Sequence, residues 1–437
     1  MDEQQNRRLL DRAEALVRDL AASLGLDAHV ELWDGRRHPL GRAATGQFVL
    51  HIADAGVVSS LLRRPSIDTL IELYIAKRLD FSGGTLLDFG RQLNRGGRSV
   101  KLGTLQKLRI ARRLAPFLFG PMAPVKAGAG QFKGEYKGEG RKAGDNQKFI
   151  SFHYDLSNEF YALFLDPEMV YSCGYFHSWD GDLEKAQVDK LDMICRKLRL
   201  KPGDRLLDIG CGWGGLVIHA ARTYGVTAHG ITLSKEQLAL AQARVDAAGL
   251  SSRVGLELID YTNVTGTYDK IASIGMYEHI GLANIPTYMS KVRSLLTDNG
   301  LFLNHAISRR ARKKRLLPDR LRPEQRAIIK YIFPGGALDD VGHSVAAMER
   351  AGFEVHDVEG WRMHYARTCR LWCERLTARR DEAIALVGED KYRIYVIYLA
   401  GCALAFERGS ARLFQTLASK SARGPSPLPP TRADLYR

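Results

Sequence analysis

A glycine-rich loop carries the clearest chemical signal in the sequence. Asp208 lies near the end of an apolar run, and Gly210, Gly212 and Gly215 follow it in a G-x-G-x-x-G arrangement that also contains Gly214. The helix-like segment LVIHAARTYG comes next. Glycines at such a turn let a ligand approach the backbone closely at the carboxyl end of a strand. The pattern predicts a cofactor-binding unit made of a strand, a turn and a helix.

The residues around this loop favour S-adenosylmethionine (SAM) over NAD. Asp208 lies two residues before the first glycine, where a carboxylate suits a cationic ligand better than a pyrophosphate. The next strand-like run ends in GITLS at residues 230–234, with no acid to bind a ribose diol about 20 residues after the loop. SAM carries a sulfonium and an ammonium group and no phosphate. The missing ribose acid is also a departure from most SAM enzymes with such a loop.

The elements that must position this loop alternate between strand and helix patterns. Apolar runs, each followed by a helix-like segment, occupy residues 205–209, 227–232, 255–259, 270–274 and 301–306. This alternation is typical of a mostly parallel, doubly wound, Rossmann-like α/β sheet. Together with a SAM site, it predicts the class I SAM-methyltransferase fold.

The chain divides at a stretch rich in glycine and charge. Residues 128–147 carry no apolar periodicity and are interpreted as a linker. Residues 1–127 contain helical patterns at 7–24 and 64–79, the second with Ser66 as its N-cap, and short strand patterns between them. They predict a smaller α+β domain, for which docking or dimerisation is more plausible than catalysis. Residues 148–437 form the predicted catalytic domain.

Composition bounds the class of protein. The chain has 437 residues, of which 45% are apolar and 26% charged, which is typical of a globular protein and excludes a disordered or collagen-like chain. The longest uncharged run, residues 394–406, is shorter than the roughly 20 residues of a membrane-spanning helix. The N-terminus has no apolar signal core, so we expect a cytoplasmic protein with six reduced cysteines and no metal site.

Positive charge is concentrated in two segments. The net charge is +15; residues 95–148 hold 13 Lys or Arg against three acids, and residues 309–322 hold eight against one. A basic segment is often only a solvated face, but two dense ones predict a polyanionic partner, either nucleic acid or an anionic membrane surface.

An ordered set of motifs resembles the cyclopropane-fatty-acyl-phospholipid synthases and the related mycolic acid cyclopropane synthases. The motifs besides the glycine loop are HYDLSNEFY (153–161), YSCGYF (171–176), ITLSKEQ (231–237), GMYEHIG (275–281), LNHAIS (303–308), YIFPGG (331–336) and HYART (364–368). The resemblance covers roughly residues 140–420. The N-terminal residues match only loosely the extra domain of the bacterial phospholipid enzymes.

This resemblance implies transfer of a methylene group from SAM to the cis double bond of an unsaturated acyl chain in a membrane phospholipid, which forms a cyclopropane ring. It also implies a bound bicarbonate ion as the base. The residues that match the family's bicarbonate ligands are Cys173, Glu278, His305, Ile307 and Tyr365. The residues that match its SAM contacts are Tyr171, Ser172, Gly210, Gly212, Thr232 and Gln237, with Asp260 and Tyr261 beside the adenine.

These residue types suit the implied reaction. Alkene attack on a sulfonium methyl group leaves a carbocation, which aromatic faces in a dry pocket can stabilise. The aromatic candidates are Tyr154, Phe160, Tyr175, Phe176 and Trp213. A small bound anion can remove the surplus proton while protein groups only orient it.

Several alternatives remain open from the sequence. His279 and His305 could be structural histidines, Cys173 read alone suggests a nucleophile, and Trp361 and Trp372 could be core or acyl-pocket lining. Relatives use the same first step for methyl- or methylene-branched chains. A SAM-dependent RNA methyltransferase would explain the charge equally well, although no RNA-binding module is visible. A non-catalytic lipid-binding relative is the third alternative.

We expect peripheral association with the inner face of an anionic membrane, no nucleic-acid partner and, by resemblance, a homodimer. The segment 309–322 is the predicted contact with headgroup phosphates, and residues 1–127 the lipid-docking or dimerisation domain. Acyl-chain length, double-bond position and headgroup preference are not encoded in any motif found.

Overall fold

The structure is a computed structural model. It describes residues 3–41, 44–95, 103–125, 156–311, 329–332, 334, 336–420, 424, 426 and 428–436. The predicted linker at 128–147, Tyr154 and most of the basic segment at 309–322 lie outside the described residues. The chain forms two compact units, the first containing residues 1–131, 320–331 and 377–404, and the second 132–319, 332–376 and 405–437.

The first unit is the predicted smaller α+β domain. Its elements are α1 (Glu3–Leu24), β1 (His29–Glu31), β2 (Arg37–Pro39), β3 (Val49–Ile52), α2 (Ala55–Arg63), α3 (Ile67–Ile75), β4 (Leu79–Ser82), α4 (Leu86–Arg95) and α5 (Thr104–Leu118). The strands form a mixed sheet in the order β2-β1-β3-β4. Ser66 caps α3 as predicted, because its side chain accepts a hydrogen bond from Thr69 N at 3.1 Å.

The second unit contains a seven-stranded sheet. In chain order, its elements are α6 (Asn158–Ala162), α7 (Leu183–Lys197), β5 (Arg205–Ile209), α8 (Gly215–Tyr224), β6 (Thr227–Thr232), α9 (Lys235–Ala247), β7 (Val254–Leu258), β8 (Tyr268–Ile274), α10 (Ile285–Leu295), β9 (Leu296–Arg309), α11 (Val341–Arg350), β10 (Phe353–Gly360), α12 (Arg362–Ala378) and β11 (Ala411–Lys420). Between α12 and β11, the chain forms α13 (Arg380–Val387) and α14 (Glu389–Arg408), and residues 377–404 of this stretch belong to the first unit. The strand order is β10-β11-β9-β8-β5-β6-β7.

This sheet confirms the predicted mostly parallel, doubly wound architecture. Strands β5 to β9 pair in parallel, whereas β11 is antiparallel to both β9 and β10. Central strand β5 is buried along Leu206–Ile209, which explains why Asp208 is its one acidic residue among apolar neighbours in the sequence. Since the carboxyl ends of parallel strands share one edge, the residues that follow β5, β6 and β8 converge there.

The compact units differ from the predicted domain boundary. Residues 377–404, predicted as part of the catalytic domain, belong to the same unit as the N-terminal elements. The physical reason lies in the first half of α14, where Arg393 donates to Asp80 Oδ2 at 2.7 Å and to the Tyr74 carbonyl at 3.0 Å. Its guanidinium also lies 4.6 Å from the Tyr74 ring centroid.

The apolar run at 394–406 lies within α14, where Ile394, Leu399 and Ala403 are each at most 3% exposed. Within the part of the chain that the structure describes, no helix has the length and apolar character needed to cross a membrane.

Candidate functional site

The glycine loop lines a pocket at the carboxyl ends of β5, β6 and β8. Among the predicted cofactor residues, those that line it are Tyr171, Ser172, Asp208, Gly210, Gly212, Thr232, Gln237 and Tyr261. Met276 and His279 line it from the segment after β8. The structure therefore brings together residues that are more than one hundred positions apart in the sequence (Tyr171 to His279).

Asp208 places a buried carboxylate at this pocket. It is 2% exposed, and among the described residues no hydrogen-bond partner lies within reach of its Oδ1 atom. Burial raises the pKa of Asp208 to about 7, against the opposing influence of the Lys190 charge. A buried carboxylate oxygen of this kind fits a cationic ligand group, which agrees with the choice of SAM made from the sequence.

The glycines of the loop have different tasks. Gly210 and Gly212 have φ values of 87° and 56°, a conformation that glycine adopts at little cost, and both line the pocket. Gly214, predicted as a cofactor residue, does not line it. With a φ of 82° it precedes the first turn of α8, and a Cβ there would lie 3.4 Å from Ala241 Cβ. Gly215 lines the pocket in its place.

The segment between β6 and α9 is organised by side-chain hydrogen bonds. Thr232 Oγ1 donates to Gln237 Oε1 at 2.9 Å, and Ser234 caps α9 by accepting from Gln237 N. This fixes two pocket-lining side chains relative to each other. Asp260, predicted beside the adenine, does not line the pocket; its Oδ1 accepts from Thr262 N at 2.9 Å and caps a short 3-10 helix that begins at Tyr261.

Lys190 is a pocket residue that no sequence motif indicates. It is 1% exposed on α7, lines the pocket and donates from Nζ to Ser172 Oγ at 3.0 Å. Burial lowers its pKa to about 8, while the charges of Asp166, Cys173 and Asp208 act in the opposite direction. A lysine in an amphipathic helix ordinarily indicates a solvent-facing position. Lys197 lies two helical turns after Lys190 and is also 1% exposed. This spacing places both lysines on the buried face of α7, but it indicates a buried position only once the burial of the helix is known.

Glu278 forms a second buried carboxylate, just beyond the pocket-lining residues. Its Oε1 accepts a hydrogen bond from the backbone N–H of Ile307 at 2.5 Å. No hydrogen-bond partner for Oε2 exists among the residues that the structure describes. Burial raises the pKa of Glu278 to about 7, and the Ile307 N–H opposes this rise. The predicted pair of Glu278 and Ile307 is thus in direct contact.

His305 contributes a donor. Gln415 Nε2 lies 3.1 Å from His305 Nδ1, so with the amide in this orientation Nδ1 accepts and the ring proton is on Nε2. Burial lowers the pKa of His305 well below its usual value, with Lys190 and Lys197 acting in the same direction, and the ring is therefore neutral. In the described part of the chain, Nε2 has no hydrogen-bond partner.

Trp361 connects the remaining predicted residues. Its ring makes an edge contact with His305 at 5.6 Å, and its carbonyl accepts from Tyr365 N at 3.1 Å. Cys173 Sγ lies 3.9 Å from the same carbonyl and donates to Gly174 O at 3.2 Å. Burial raises the pKa of Cys173 well above its ordinary value, so it is a thiol and a poor nucleophile.

A row of aromatic rings leads from the pocket to Tyr365. Centroid distances are 5.0 Å from Trp213 to Tyr161, 5.3 Å on to Tyr171, 5.1 Å to Trp372 and 6.1 Å to Tyr365. Tyr365 also stacks on Phe406 at 4.6 Å.

The other predicted aromatic residues lie elsewhere. Phe160 is fully buried, at 5.7 Å from Phe164, whereas Tyr175 and Phe176 stack on His364. Of the five candidates, Trp213 alone lines the pocket among the described residues.

The arrangement defines a class of protein. A strand order with one antiparallel strand next to a mostly parallel sheet, a glycine turn after β5 and a buried acid at that turn make this a class I SAM-dependent methyltransferase. Residues 141–416 match the family described as mycolic acid cyclopropane synthetase, and the chain belongs to this family.

Three relatives illustrate the similarity. A probable fatty acid methyltransferase of Pseudomonas putida is 39% identical over 95% of this chain and 98% of its own length. The cyclopropane-fatty-acyl-phospholipid synthase of Escherichia coli K12 is 39% identical over 61% of this chain and 66% of its own. The crystal structure of the mycolic acid cyclopropane synthase CmaA1 with SAH and CTAB is 36% identical over 63% of this chain and 98% of that one, with a TM-score of 0.60.

Proposed function

We propose that this protein transfers a methylene group from SAM to the cis double bond of an unsaturated acyl chain in a membrane phospholipid and closes a cyclopropane ring. The observation that carries the proposal concerns two buried polar atoms, Glu278 Oε2 just after β8 and His305 Nε2 on the neighbouring strand β9. They are a buried acceptor and a buried donor, and neither has a partner among the described residues. Buried polar atoms are nearly always hydrogen-bonded, so this pair points to a small polar ligand.

The donor set fits bicarbonate. A carboxylate can accept from the O–H of bicarbonate, while a neutral imidazole N–H can donate to one of its charged oxygens. The backbone N–H of Cys173 and the side chain of Tyr365 complete the ligand set that we propose, and the backbone N–H of Ile307 acts through Glu278, whose Oε1 it holds. Bicarbonate held there would supply a base close to the substrate. Holding a separate anion also keeps the protein's own carboxylate, Glu278, away from the methyl donor.

The aromatic row explains how the chain protects the reaction. When bound, SAM supplies an electrophilic methyl group on sulfur. The faces of Tyr171, Trp372 and Tyr365 provide a dry surface that stabilises positive charge on the acyl chain and excludes the water that would trap it. Asp208, Lys190 and the Thr232–Gln237 pair hold and orient the cofactor, and the reaction is complete when a proton leaves the added carbon.

The acyl-chain substrate is supported by the names of the relatives. One acts in fatty-acyl-phospholipid synthesis, another is a probable fatty acid methyltransferase, and CmaA1 was crystallised with CTAB, a long-chain alkylammonium detergent. The +15 net charge suits an enzyme that reaches lipid in an anionic leaflet, and we propose peripheral association with the cytoplasmic side of the membrane.

Methylation of the same double bond is the second candidate. The relative that matches nearly the whole chain is called a probable fatty acid methyltransferase. The first step is common to both reactions, and the fate of the cation depends on the base. A filled Glu278–His305 site favours proton loss with ring closure. A 1,2-hydride shift along the acyl chain followed by proton loss from the added carbon would leave a methylene branch, and a methyl branch would further require a hydride from a reduced nicotinamide or flavin.

Lipid analysis distinguishes the products. Cells that express the protein are grown with methyl-labelled methionine, and extracted lipids are examined by mass spectrometry and NMR. Ring closure and methylene branching both add one CH2, so the mass alone is ambiguous. We expect labelled cyclopropane protons at high field. Label in an olefinic methylene or a methyl branch would support the second candidate, and unlabelled acyl chains would contradict both.

A further inference from the structure

Helix α5 of the first unit has one face firmly packed against its neighbours. Phe117 is fully buried in a core with Leu9 and Leu10. Arg113 forms an ion pair with Asp19 at 2.8 Å, and Gln106 donates to Ser23 Oγ at 3.0 Å. The orientation of α5 about its own axis is therefore fixed, and so is the face that it turns to solvent.

The opposite face exposes large apolar side chains. Leu105 is 81% exposed, Leu108 is 68% exposed and Phe119, directly after the helix, is 91% exposed. Ala115 is also exposed. Leu108, Ala115 and Phe119 follow Leu105 by three, ten and fourteen residues, a spacing that places all four on one side of the helix. Water-exposed apolar residues usually occur singly, so an aligned group on one helix marks an interaction surface.

Cations border this apolar seam. Lys107 and Arg109 lie on its two sides, and Arg112 lies within it; all three are exposed. Residues 104–119 contain no acid. A helix with an apolar seam and basic flanks is the signature of a segment that lies in a membrane interface, where cations meet lipid phosphates and apolar side chains enter the acyl boundary.

We propose that this face, defined by Leu105, Leu108, Arg112 and Phe119 and flanked by Lys107 and Arg109, docks on an anionic phospholipid surface. The proposal rests on the proposed function, since it names the surface through which the enzyme reaches its lipid. A second copy of this chain is a poorer occupant, because a twofold contact would bring the same cations together without any acid. A nucleic acid would meet the cations but leave the leucine and phenylalanine side chains without an apolar partner.

The test is co-sedimentation of the full chain with vesicles of phosphatidylcholine alone or mixed with phosphatidylglycerol. We expect binding to the mixed vesicles that weakens with salt. The variant L105S/L108S/F119S should lose roughly tenfold or more in affinity, because it removes the apolar insertion. The variant K107E/R109E should weaken the preference for anionic vesicles more than the same charge change made elsewhere on the chain.

Matched controls are Leu386→Ser, which changes a leucine that is 45% exposed on α13, and R7E/R8E, which reverses two exposed charges on α1. Both should bind vesicles like the unaltered protein. Retained thermal unfolding and SAH binding establish that the variants are folded.

Equal vesicle binding by the α5 variants and the unaltered protein would overturn the docking surface, even if cyclopropane lipid is formed. Loss of a dimer in light scattering without loss of vesicle binding would overturn it in favour of a self-interface. Vesicle binding that depends on α5, with no lipid product, would support the docking surface and contradict the proposed function instead.

Discussion

Glu278 and Ile307 are joined by a hydrogen bond of 2.5 Å from the backbone N–H of β9 to the carboxylate Oε1 atom. This bond orients the carboxylate from the end of the neighbouring strand β8 and leaves Oε2 without a partner among the described residues. It explains why a buried acid is tolerated here: one oxygen is satisfied by the fold, and the other is available to a ligand.

Replacing Glu278 with Gln should slow turnover by about two to four orders of magnitude, the range of a general-base contribution, because bicarbonate, the proposed base, would lose a ligand. The amide oxygen can still accept from Ile307 N–H, but an NH2 group takes the place of the acceptor Oε2. Binding of SAH, measured by calorimetry, should be nearly unchanged. Glu374→Gln, on the exposed side of α12, is the control. Normal turnover by Glu278→Gln would remove this carboxylate from the mechanism.

SAM binding should tighten as the pH rises through the pKa of Asp208, about 7. The sign follows from burial, which favours the neutral acid, whereas the cationic ligand favours the carboxylate. Calorimetric titrations between about pH 6 and about pH 7.5 keep the ligand ammonium charged. Asp208→Asn should bind more weakly and lose this pH dependence. A flat profile for the unaltered protein would contradict the assignment of Asp208.

Lys190→Met should weaken SAM binding about tenfold and move the pH midpoint of binding upwards. The first effect follows from loss of the hydrogen bond to Ser172, and the second from loss of a charge that lowers the pKa of Asp208. Lys185→Met is the control, since Lys185 is exposed on the same helix and pairs only with Asp189 at 2.8 Å among the contacts described. A role limited to packing would leave the pH midpoint in place.

Gln415→Glu should move the His305 ring proton from Nε2 to Nδ1, because a carboxylate can only accept. The neutral ring would then present an acceptor where the anion needs a donor, and turnover should fall by about 10- to 100-fold, as for other residues that orient a ligand. Nitrogen NMR of labelled histidine reports the tautomer directly. An unchanged tautomer together with reduced turnover would show that Gln415 acts in another way.

Gly230→Ala should lower the free energy of unfolding by about 1–3 kcal/mol, the usual cost of overpacking a core. A Cβ at this position of β6 would lie 2.9 Å from Cys211 Cβ and 2.9 Å from Leu256 Cδ2. Gly255→Ala, in the adjacent strand β7, meets nothing within 4 Å and should be neutral. Thermal denaturation of both variants makes the comparison; equal melting temperatures would show that the loop absorbs the extra methyl group.

Much of the sheet could be predicted because its strands β5, β6 and β9 are buried along most of their length. The predicted runs at 205–209 and 227–232 agree with β5 and β6 to the residue. Strand β9 begins at Leu296, five residues before its predicted start, since Thr297, Asp298 and Asn299 give no apolar signal. Strands β10 and β11 were not identified, and the pairing of 377–404 with the N-terminal unit depends on long-range contacts such as Arg393 with Asp80 that no local pattern encodes.

The sequence indicated the candidate site residues that lie in motifs. It did not indicate the single side chains that lie outside any motif. Glu278, His305 and the glycine loop lie in recognisable motifs. Lys190 and Gln415 do not lie in such motifs. The helical periodicity around Lys190 suggests an exposed side chain, and the role of Gln415 depends on the strand register that places it opposite His305. Gly214 lies in the same motif as the pocket glycines but precedes α8 and does not line the pocket, which indicates a role at the start of the helix.

The account is tested most directly by the bicarbonate dependence of the purified enzyme. Turnover with SAM and vesicles of a cis-unsaturated phospholipid is measured in buffer stripped of carbon dioxide and again after bicarbonate is restored. We predict that turnover falls on depletion and returns with added bicarbonate, and that Glu278→Gln gives no such recovery. Cyclopropane formation at full rate without bicarbonate would contradict a ligand held between Glu278 and His305.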